Sequence, residues 1–330
     1  MRILVTGTAG FIGFHLTQKL IELGHDVVGL DNFNDYYSPS LKEERHRILK
    51  TLPRFTEVRG DIADTALLKK LFDEHRPDTV CNLAAQAGVR YSLVNPGVYI
   101  HSNLDGFYAI IDAALAHKVQ RLVYASSSSV YGGNTKLPFS EEDRVDQPIS
   151  LYAATKRANE LIAHSYTHLH GIETVGLRFF TVYGPWGRPD MAIWQFAQRM
   201  MKGEPIKVYN HGAMKRDFTY IDDIVAGIVA ALTTRELERY EIMNLGNNNP
   251  VELMHVIKLL EEGLGCKATM HMLPIQQGDV PVTYADIDRA KAKLGFEPKT
   301  TIEEGLTRFL AWLRAHEKIF MTTTFAGSGS

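Results

Sequence analysis

Residues 2–31, RILVTGTAGFIGFHLTQKLIELGHDVVGLD, have the pattern of a strand, a glycine turn, a helix and a second strand. The turn carries glycines at positions 7, 10 and 13, directly after the apolar run Arg2 to Val5. Glycine lets the backbone approach a pyrophosphate, and the following helix N-terminus offers amide groups and a positive dipole to bind it. A glycine-rich turn without a ligand is the alternative, but the strand–helix–strand context disfavours it.

The second strand of this unit, Val27 to Leu30, ends in an acid, Asp31, which follows Gly13 by 18 positions. A carboxylate at this place can accept hydrogen bonds from the adenosine ribose hydroxyls of a dinucleotide. It also repels the 2′-phosphate of NADP. The sequence therefore predicts a site that prefers NAD.

Tyr152 and Lys156 lie four positions apart in a stretch predicted to be helical, so they share one face of the helix. A phenol is a weak base at neutral pH because its ordinary pKa is near 10. A neighbouring ammonium group favours the phenolate, and a tyrosine tuned in this way can remove a proton from a sugar hydroxyl. The spacing alone is a weak signal, since surface helices often carry it by chance.

An apolar stretch, Arg121 to Ala125, runs directly into four serines, Ser126 to Ser129. In an open parallel sheet, ligands bind at the carboxyl ends of the strands. A polar loop is the alternative reading of a serine run. The order of the motifs along the chain, with Tyr152 and Lys156 after the serines, favours the ligand site.

Taken together, these motifs resemble the extended short-chain dehydrogenase/reductase family, over about residues 1 to 315. Within it the chain looks like the nucleotide-sugar epimerases, and stretches 87–92, 178–191 and 278–286 are similar to the glucuronate epimerases. The alternation of strand and helix patterns argues for a parallel sheet with helices on both faces. The resemblance implies a Rossmann-type doubly wound α/β fold with a smaller C-terminal α/β substrate-binding region.

The resemblance implies an isomerase that inverts carbon 4 of UDP-glucuronate to give UDP-galacturonate through a transient 4-keto sugar. Tyr152 would remove the hydroxyl proton while hydride leaves carbon 4 for bound NAD. Lys156 would keep Tyr152 acidic and hold the nicotinamide ribose. Ser127 is the expected hydroxyl relay, with Ser126 or Ser128 as alternatives because the run blurs the register.

The same resemblance implies a set of residues that contact the cofactor. They are Gly7, Gly10, Phe11, Ile12, Gly13, Asp31, Asn32, Asp61, Ile62, Leu83, Ala84, Ala85, Asn103, Ser126, Tyr152, Lys156 and Phe180.

Ser128 and Ser129 stand where dehydratases of the superfamily have an acidic pair, and the glutamate of the decarboxylases is also missing. This matters because a 4-keto glucuronate is a β-keto acid that loses carbon dioxide easily. Ser128, Ser129 and Thr181 can donate hydrogen bonds to the sugar carboxylate, and Arg188 can pair with it. A surface arginine in a Pro/Gly loop is the alternative for Arg188.

The UDP end of the site is expected at Val208, Tyr209, Arg216, Gln276 and Asp279. Relatives often have arginine at the place of Gln276, so charge neutralisation is reduced there. Arg90 is open between a substrate contact, a diphosphate contact and a structural role.

Composition excludes several other classes of protein. The chain has 330 residues with a net charge of -2, which gives no argument for binding nucleic acid or a membrane. Its two cysteines, Cys81 and Cys266, show no disulfide or metal spacing. The helically spaced His164, His168 and His170 lack a carboxylate partner, so no metal is expected. With neither a signal peptide nor a span of ~20 apolar residues, a cytoplasmic protein is expected.

We expect a NAD-binding domain over residues 1–180, to which part of 215–245 returns, and a mainly substrate-binding region over 181–315. Residues 322–330 are mostly small and polar, and residues 320–330 are expected to form a disordered tail. By analogy with the family, a homodimer is expected to form through the helix from about Pro96 to His117 and the helix bearing Tyr152.

Three other functions stay open on the sequence. A UDP-glucose/UDP-galactose 4-epimerase would have no need of Arg188. A non-catalytic NAD-binding scaffold would typically lack Tyr152 or Lys156, and both are present. A net oxidoreductase would need an exchangeable cofactor.

Overall fold

A computed structural model describes residues 1–276 and 278–326. In chain order the strands are β1 (Arg2–Thr6), β2 (Asp26–Asp31), β3 (Phe55–Arg59), β4 (Thr79–Asn82), β5 (Arg121–Ser127), β6 (Glu173–Phe179), β7 (Thr181–Tyr183), β8 (Ile206–Val208), β9 (Lys215–Tyr220), β10 (Tyr240–Leu245), β11 (Pro250–Glu252), β12 (Met270–Met272) and β13 (Val282–Thr283). Seven of these form the central parallel sheet, in the order β10-β6-β5-β4-β1-β2-β3.

Helices cover both faces of this sheet, and further helices pack against the smaller strands. In chain order the helices are α1 (Phe11–Glu22), α2 (Pro39–Leu49), α3 (Thr65–His75), α4 (Tyr91–Val94), α5 (Gly97–Tyr99), α6 (Gly106–Ala116), α7 (Leu151–His170), α8 (Ala192–Met201), α9 (Ile221–Thr233), α10 (Leu253–Leu264), α11 (Asp288–Leu294), α12 (Ile302–Ala315) and α13 (Glu317–Thr322).

The central strands are apolar because both faces of the sheet are covered. Ile3, Leu4 and Val5 of β1 are all fully buried, and successive side chains of a strand point to opposite faces. Residue Ile3 pairs with Val27 on one side and with Thr79 on the other. The strand order reverses between β1 and β4, and this is the place where doubly wound sheets bind ligands. The predicted Rossmann-type fold is confirmed.

A second sheet lies beyond the carboxyl ends of the central strands. Strand β9 pairs with β7 and β13 in parallel and with β11 in antiparallel orientation, and β8 pairs separately with β12. The chain then returns to the central sheet, where β10 pairs in parallel with β6. The division at residue 180 into a NAD-binding and a substrate-binding part stays a prediction.

The helix expected from about Pro96 to His117 is not one regular helix. Residues 100–105 form a π-helical segment, Ile100–Asp105, between α5 and α6. The segment carries Asn103, which is buried and bonded to two other parts of the fold. Such widened turns are frequent at functional sites, and hydrophobic periodicity does not reveal them.

The expected disordered tail over 320–330 is wrong for its first part. Phe320 in α13 is fully buried, and its ring lies 4.5 Å from that of Trp194. Phe325 forms a β-bridge with Tyr37. Phe320 and Phe325 were not recognised as packing residues, because they lie close to small polar residues and their partners are far away in sequence. Residues 327–330, the rest of the expected tail, lie outside the described residues.

Candidate active site

A cleft of about 1110 Å³ opens at the carboxyl ends of β1, β4, β5 and β6. Most of the predicted site residues line it: Gly7, Gly10, Phe11, Ile12, Gly13, Asp31, Asn32, Ile62, Leu83, Ala84, Ala85, Arg90, Ser126, Ser127, Ser128, Ser129, Tyr152, Lys156, Phe180, Thr181, Arg188, Tyr209, Arg216, Gln276 and Asp279. Asp61, Asn103 and Val208 are not among the lining residues.

The glycine turn is packed so tightly that two of its positions cannot carry a side chain. A Cβ on Gly13 would lie 2.1 Å from the carbonyl oxygen of Gly7. Gly7 itself has a φ of 77°, which favours glycine, and a Cβ there would lie 2.9 Å from the amide nitrogen of Ala84. The close packing brings the N-terminus of α1 to the floor of the cleft. This cradle fits a pyrophosphate, and hence the predicted NAD.

Asp31 braces the glycine turn as well as lining the cleft. One carboxylate oxygen, Oδ2, accepts from the amide of Ala9 at 2.9 Å, and Oδ1 accepts from the amide of Phe33 at 2.8 Å. Each oxygen keeps further lone pairs that can accept from another hydroxyl. The position predicted for ribose recognition therefore also fixes the loop on which a cofactor would lie.

Asp61 lies behind Asn32 rather than in the wall of the cleft. Its Oδ2 accepts from the side-chain amide of Asn32 at 2.9 Å, and Oδ1 accepts from the amide of Ala63 at 2.8 Å. Burial raises the pKa of Asp61, but these hydrogen bonds and one to His101 outweigh it and hold the pKa below its ordinary value. Asp61 therefore positions Asn32, and its expected cofactor contact is not seen in the lining.

Asn103 holds the cleft wall from behind. Its side-chain oxygen accepts from the amide of Gln86 at 2.8 Å, and its nitrogen donates to the carbonyl of Gln86 and to the hydroxyl of Thr155. All of these bonds are buried. The side chain thus joins the chain after β4 to α7, one residue before Lys156, and is not part of the cleft lining; its expected cofactor contact stays a prediction.

Ser126 is turned away from the reacting centre. Its hydroxyl donates to Glu160 at 2.6 Å, and Arg178 binds the same carboxylate through Nε and Nη2, both at 2.9 Å. The backbone of Ser126 can face the cleft, but its hydroxyl is hydrogen-bonded to the buried Glu160. Of the three serines considered as the relay, Ser127 and Ser128 remain.

Ser127 lies beside Tyr152. Its hydroxyl accepts from the amide of Ser129 at 3.1 Å and donates to the hydroxyl of Ser129 at 3.2 Å, and it is close enough to the Tyr152 phenol to act to lower the pKa of that phenol. Burial has the larger effect and raises the pKa of Tyr152 above its ordinary value, while the charge of Arg188 acts to lower it.

Lys156 does not act on Tyr152 in the way that the spacing suggested. Its ammonium group donates to the carbonyl of Ala125 at 2.8 Å, and burial lowers its pKa to about 8. The groups that lower the Tyr152 pKa are Ser127 and Arg188, and their effect does not overcome burial. The expected depression of the Tyr152 pKa by Lys156 is therefore wrong for the chain by itself.

Arg188 lines the cleft but already has an anionic partner. Its Nε donates to Oδ1 of Asp190 at 3.1 Å, and its Nη2 donates to Oδ2 at 2.5 Å. Tyr36 donates its hydroxyl to the same Oδ2 at 3.0 Å. The solvated surface arginine considered as an alternative is excluded, because the Arg188 side chain is only 24% exposed.

The opposite end of the cleft carries a cationic cluster. Arg90 pairs with Asp279 at 3.2 Å and lies over the ring of Tyr209. Arg216 donates to the carbonyl of Pro281, and burial lowers its pKa although the charge of Asp279 opposes this. Two guanidinium groups with one carboxylate leave a net positive charge that can attract a diphosphate.

Two cleft residues at the sugar end were missed from the sequence. Asp190 and Tyr36 form the network around Arg188, although they lie 154 positions apart. Asp190 falls in the stretch 178–191 that resembles the glucuronate epimerases, but the resemblance assigned no role to this residue. Tyr36 lies in a polar, aromatic loop with no distinguishing pattern. Val208, by contrast, is fully buried at the end of β8.

Within residues 1–276 and 278–326, no group of three or more His, Cys, Asp or Glu side chains could hold a metal ion. In the same part of the chain, no helix has both the length and the apolar character needed to cross a membrane.

Comparison with known proteins agrees with this geometry. A model of the NAD dependent epimerase/dehydratase family matches residues 3–246. The chain belongs to this family. It is 46% identical over 341 residues to a probable UDP-glucuronate 4-epimerase of Rhizobium meliloti, covering 97% of this chain and 100% of that protein.

Two solved structures extend the comparison. A UDP-glucuronic acid 4-epimerase of Bacillus cereus, in complex with UDP-glucuronic acid and NAD, matches with a TM-score of 0.90 at 35% identity, over 96% of this chain and 99% of that chain. A UDP-glucose 4-epimerase of Thermotoga maritima with UDP-glucose matches with a TM-score of 0.87 at 31% identity, over 96% and 100%. The fold alone therefore does not distinguish an acidic from a neutral sugar.

Proposed function

We propose that this protein is a UDP-glucuronate 4-epimerase that forms UDP-galacturonate through a transient 4-keto sugar with bound NAD. The observation that carries the proposal is the meeting of Tyr152, Ser127 and Arg188 at one end of the cleft. Ser127 and Arg188 are the two groups that lower the pKa of the Tyr152 phenol, so all three lie within electrostatic reach of one another. This brings an acid–base pair and a cation for a carboxylate to the same sugar ring.

The cofactor would be held by the glycine turn of α1, by Asp31 at the adenosine ribose and by Lys156 at the nicotinamide ribose. Bound NAD would accept hydride from carbon 4 and return it to the opposite face, and its positive charge would favour the Tyr152 phenolate. That charge is needed because burial leaves the Tyr152 pKa raised.

Tyr152 would take the proton of the carbon 4 hydroxyl and later return it. Ser127, which lies beside the phenol and acts to lower its pKa, would donate to the forming carbonyl oxygen and relay the proton. The structure supports Ser127 over Ser126, because the Ser126 hydroxyl is bound to Glu160. Both events take place beside the same oxygen of the sugar.

The sugar carboxylate would be bound by Arg188 with the hydroxyls of Ser128, Ser129 and Thr181, all of which line the cleft. A neutral hexose offers no anion to the side of Arg188 that Asp190 leaves free, and this favours UDP-glucuronate over UDP-glucose. Loss of carbon dioxide from the 4-keto acid is disfavoured when its carboxylate stays ionised and hydrogen-bonded. The UDP moiety would lie toward Arg90 and Arg216, with Tyr209, Gln276 and Asp279 around it.

The test is incubation with UDP-glucuronate without added cofactor, followed by proton NMR of the nucleotide sugars. UDP-galacturonate should appear without net NADH. Tyr152→Phe should lower the turnover number by ~10²–10⁴-fold. A control variant, Tyr108→Phe, changes an exposed tyrosine on α6 and should leave turnover unchanged. Turnover of UDP-glucose but not of UDP-glucuronate would refute the proposed substrate.

We also propose a homodimer, supported by exposed apolar side chains on the helices expected at its interface. Ile100 and Tyr108 are 41% and 52% exposed, and Leu161 and Leu169 on α7 are 55% and 67% exposed. Sedimentation should give twice the chain mass, and Leu161→Glu should shift it to one chain mass. A monomeric unmodified protein would contradict this proposal. The cytoplasmic location stays a prediction.

A further inference from the structure

We propose that Asp190 is a positioning residue that acts as a counter-charge to Arg188, so that the site can hold a sugar carboxylate and still release it. The inference rests on the proposed function, since it concerns how an acidic sugar moves in the cleft. The observation behind it is not the one that carries the proposed function, because it concerns Asp190, a carboxylate to which the sequence assigned no role.

The pairing of the two residues fixes one edge of the guanidinium group. Nε and Nη2 of Arg188 donate to the two oxygens of Asp190, which is the bidentate geometry that arginine and carboxylate prefer. The third nitrogen, Nη1, has no hydrogen-bond partner in the part of the chain that the structure describes. Arg188 thus keeps one side for Asp190 and one side for a ligand.

Asp190 is itself held in place. Its side chain is 9% exposed, and Tyr36 donates a hydrogen bond to Oδ2. The side-chain amide of Gln195 donates to the backbone carbonyl of Asp190 at 2.6 Å, which fixes the residue at the start of α8. These contacts make the pair a rigid unit with near-zero net charge.

The consequence concerns the sugar after its oxidation. The 4-keto intermediate must turn so that its opposite face receives hydride, and its carboxylate has to leave one arrangement and form another. A free arginine cation in a buried cleft would bind the carboxylate strongly and oppose this movement. An arginine whose charge is balanced by Asp190 still orients the carboxylate through Nη1 but binds it less tightly.

Asp190→Asn removes the charge and keeps the size of the side chain. In this variant UDP-glucuronate should bind at least about threefold more tightly, because the repulsion between two carboxylates is gone. Its turnover number should fall by about tenfold, because the tightly held intermediate turns slowly and Arg188 is less well oriented. The affinities for UDP and UDP-glucose should not change, since neither presents a carboxylate.

Binding is measured by calorimetry in a Tyr152→Phe background, where no turnover disturbs the titration, and turnover is measured in the active protein. Asp190→Glu, which restores the charge, should bring the affinity for UDP-glucuronate back toward that of the parent. Unchanged UDP binding shows that each variant is folded.

Three results would overturn the inference: parallel changes for UDP-glucuronate and UDP-glucose, weaker binding of UDP-glucuronate to Asp190→Asn, or an unchanged turnover number. Failure of the proposed function is a different result. It would appear in the unmodified protein as an absence of UDP-glucuronate turnover, whatever the variants do.

Discussion

At the scale of single residues, the glycine turn is limited by the backbone that surrounds it. Gly13→Ala would place a Cβ 2.1 Å from the carbonyl oxygen of Gly7, and that backbone atom has no room to move away. We expect overpacking to cost about 1–3 kcal/mol and to lower NAD retention about tenfold or more. NAD released from the purified protein by denaturation measures this. Gly97→Ala, where nothing lies within 4 Å of the added Cβ, is the control and should retain NAD fully.

Ser127 partly offsets the effect of burial on the pKa of Tyr152. Its hydroxyl acts to lower the pKa of Tyr152, so Ser127→Ala should raise that pKa. The base form of Tyr152 is then reached only at higher pH, and the acid limb of the kcat/KM profile should move upward by about one unit, equivalent to about 1.4 kcal/mol. Ser128→Ala, which lies in the cleft but does not act on the phenol, is the control. If the acid limb of Ser127→Ala lay at the same pH as that of the unmodified protein, the assigned effect of Ser127 on the Tyr152 pKa would be contradicted.

The residues of the candidate site could be predicted only where they fall in spaced motifs. The glycines, Asp31 and the Tyr152–Lys156 pair have such spacing, and all of them line the cleft. Asp190, the partner of Arg188, could not be given a role from the sequence, because its contact with Tyr36 joins positions that are 154 apart. The direction of the Tyr152 pKa shift was also out of reach, since it depends on burial.

At the scale of elements, α7 is held to the sheet by a buried charge network. Glu160, one turn after Lys156, binds Ser126 at the end of β5 and Arg178 in β6, and Arg157 of its own helix also donates to it at 2.9 Å. It is fully buried, so the two carboxylate oxygens depend on these partners. The network fixes the helix that carries Tyr152 against the strand end that carries Ser127.

Glu160→Gln should lower the free energy of unfolding by about 3–5 kcal/mol, because it leaves the Arg178 charge buried without an anion. Urea unfolding measures this, and Glu303→Gln, at an exposed pair with His255, should cost less than ~1 kcal/mol. Burial raises the pKa of Glu160, but Arg178, Ser126 and Arg157 together outweigh it and the pKa lies below its ordinary value. The stabilisation should therefore be lost as the pH falls through that lowered pKa, and a pH-independent difference would count against the network.

Element order was predictable because hydrophobic periodicity repeats along the chain, whereas contacts between elements were not. Arg45 in α2 is the clearest case. Its buried guanidinium group donates to the carbonyls of Ala9, Trp186 and Gly187, and so joins the glycine turn to the loop before Arg188. From the sequence it was one of several charged residues in a polar helix.

At the scale of the whole molecule, the last described residues, 323–326, contact the loop between β2 and α2. Residue Ala326 donates its amide to the carbonyl of Tyr36 at 2.7 Å, and the amide of Thr324 donates to the hydroxyl of Ser38 at 2.8 Å. Residues 323–326 also line the cleft. The segment therefore fastens the loop that carries Tyr36 and, through it, the Asp190–Arg188 pair.

Truncation after Thr322 should lower the free energy of unfolding by about 1–3 kcal/mol, since it removes at least two of these hydrogen bonds. It should also raise KM for UDP-glucuronate severalfold, because the Tyr36 loop loses its anchor. Truncation after Ala326 retains every contact that the structure describes and is the matched control. Equal KM values for the two truncated proteins would show that the segment does not support the site.

The most direct test of the account uses UDP-glucuronate that carries deuterium on carbon 4, with purified protein and no added NAD. We predict that UDP-galacturonate retains the deuterium on carbon 4, since the same hydrogen leaves and returns as hydride while Tyr152 handles only the hydroxyl proton. Proton NMR in ordinary water reads this at once. Loss of the deuterium to solvent would contradict the account, because carbon 4 would then be inverted by proton exchange.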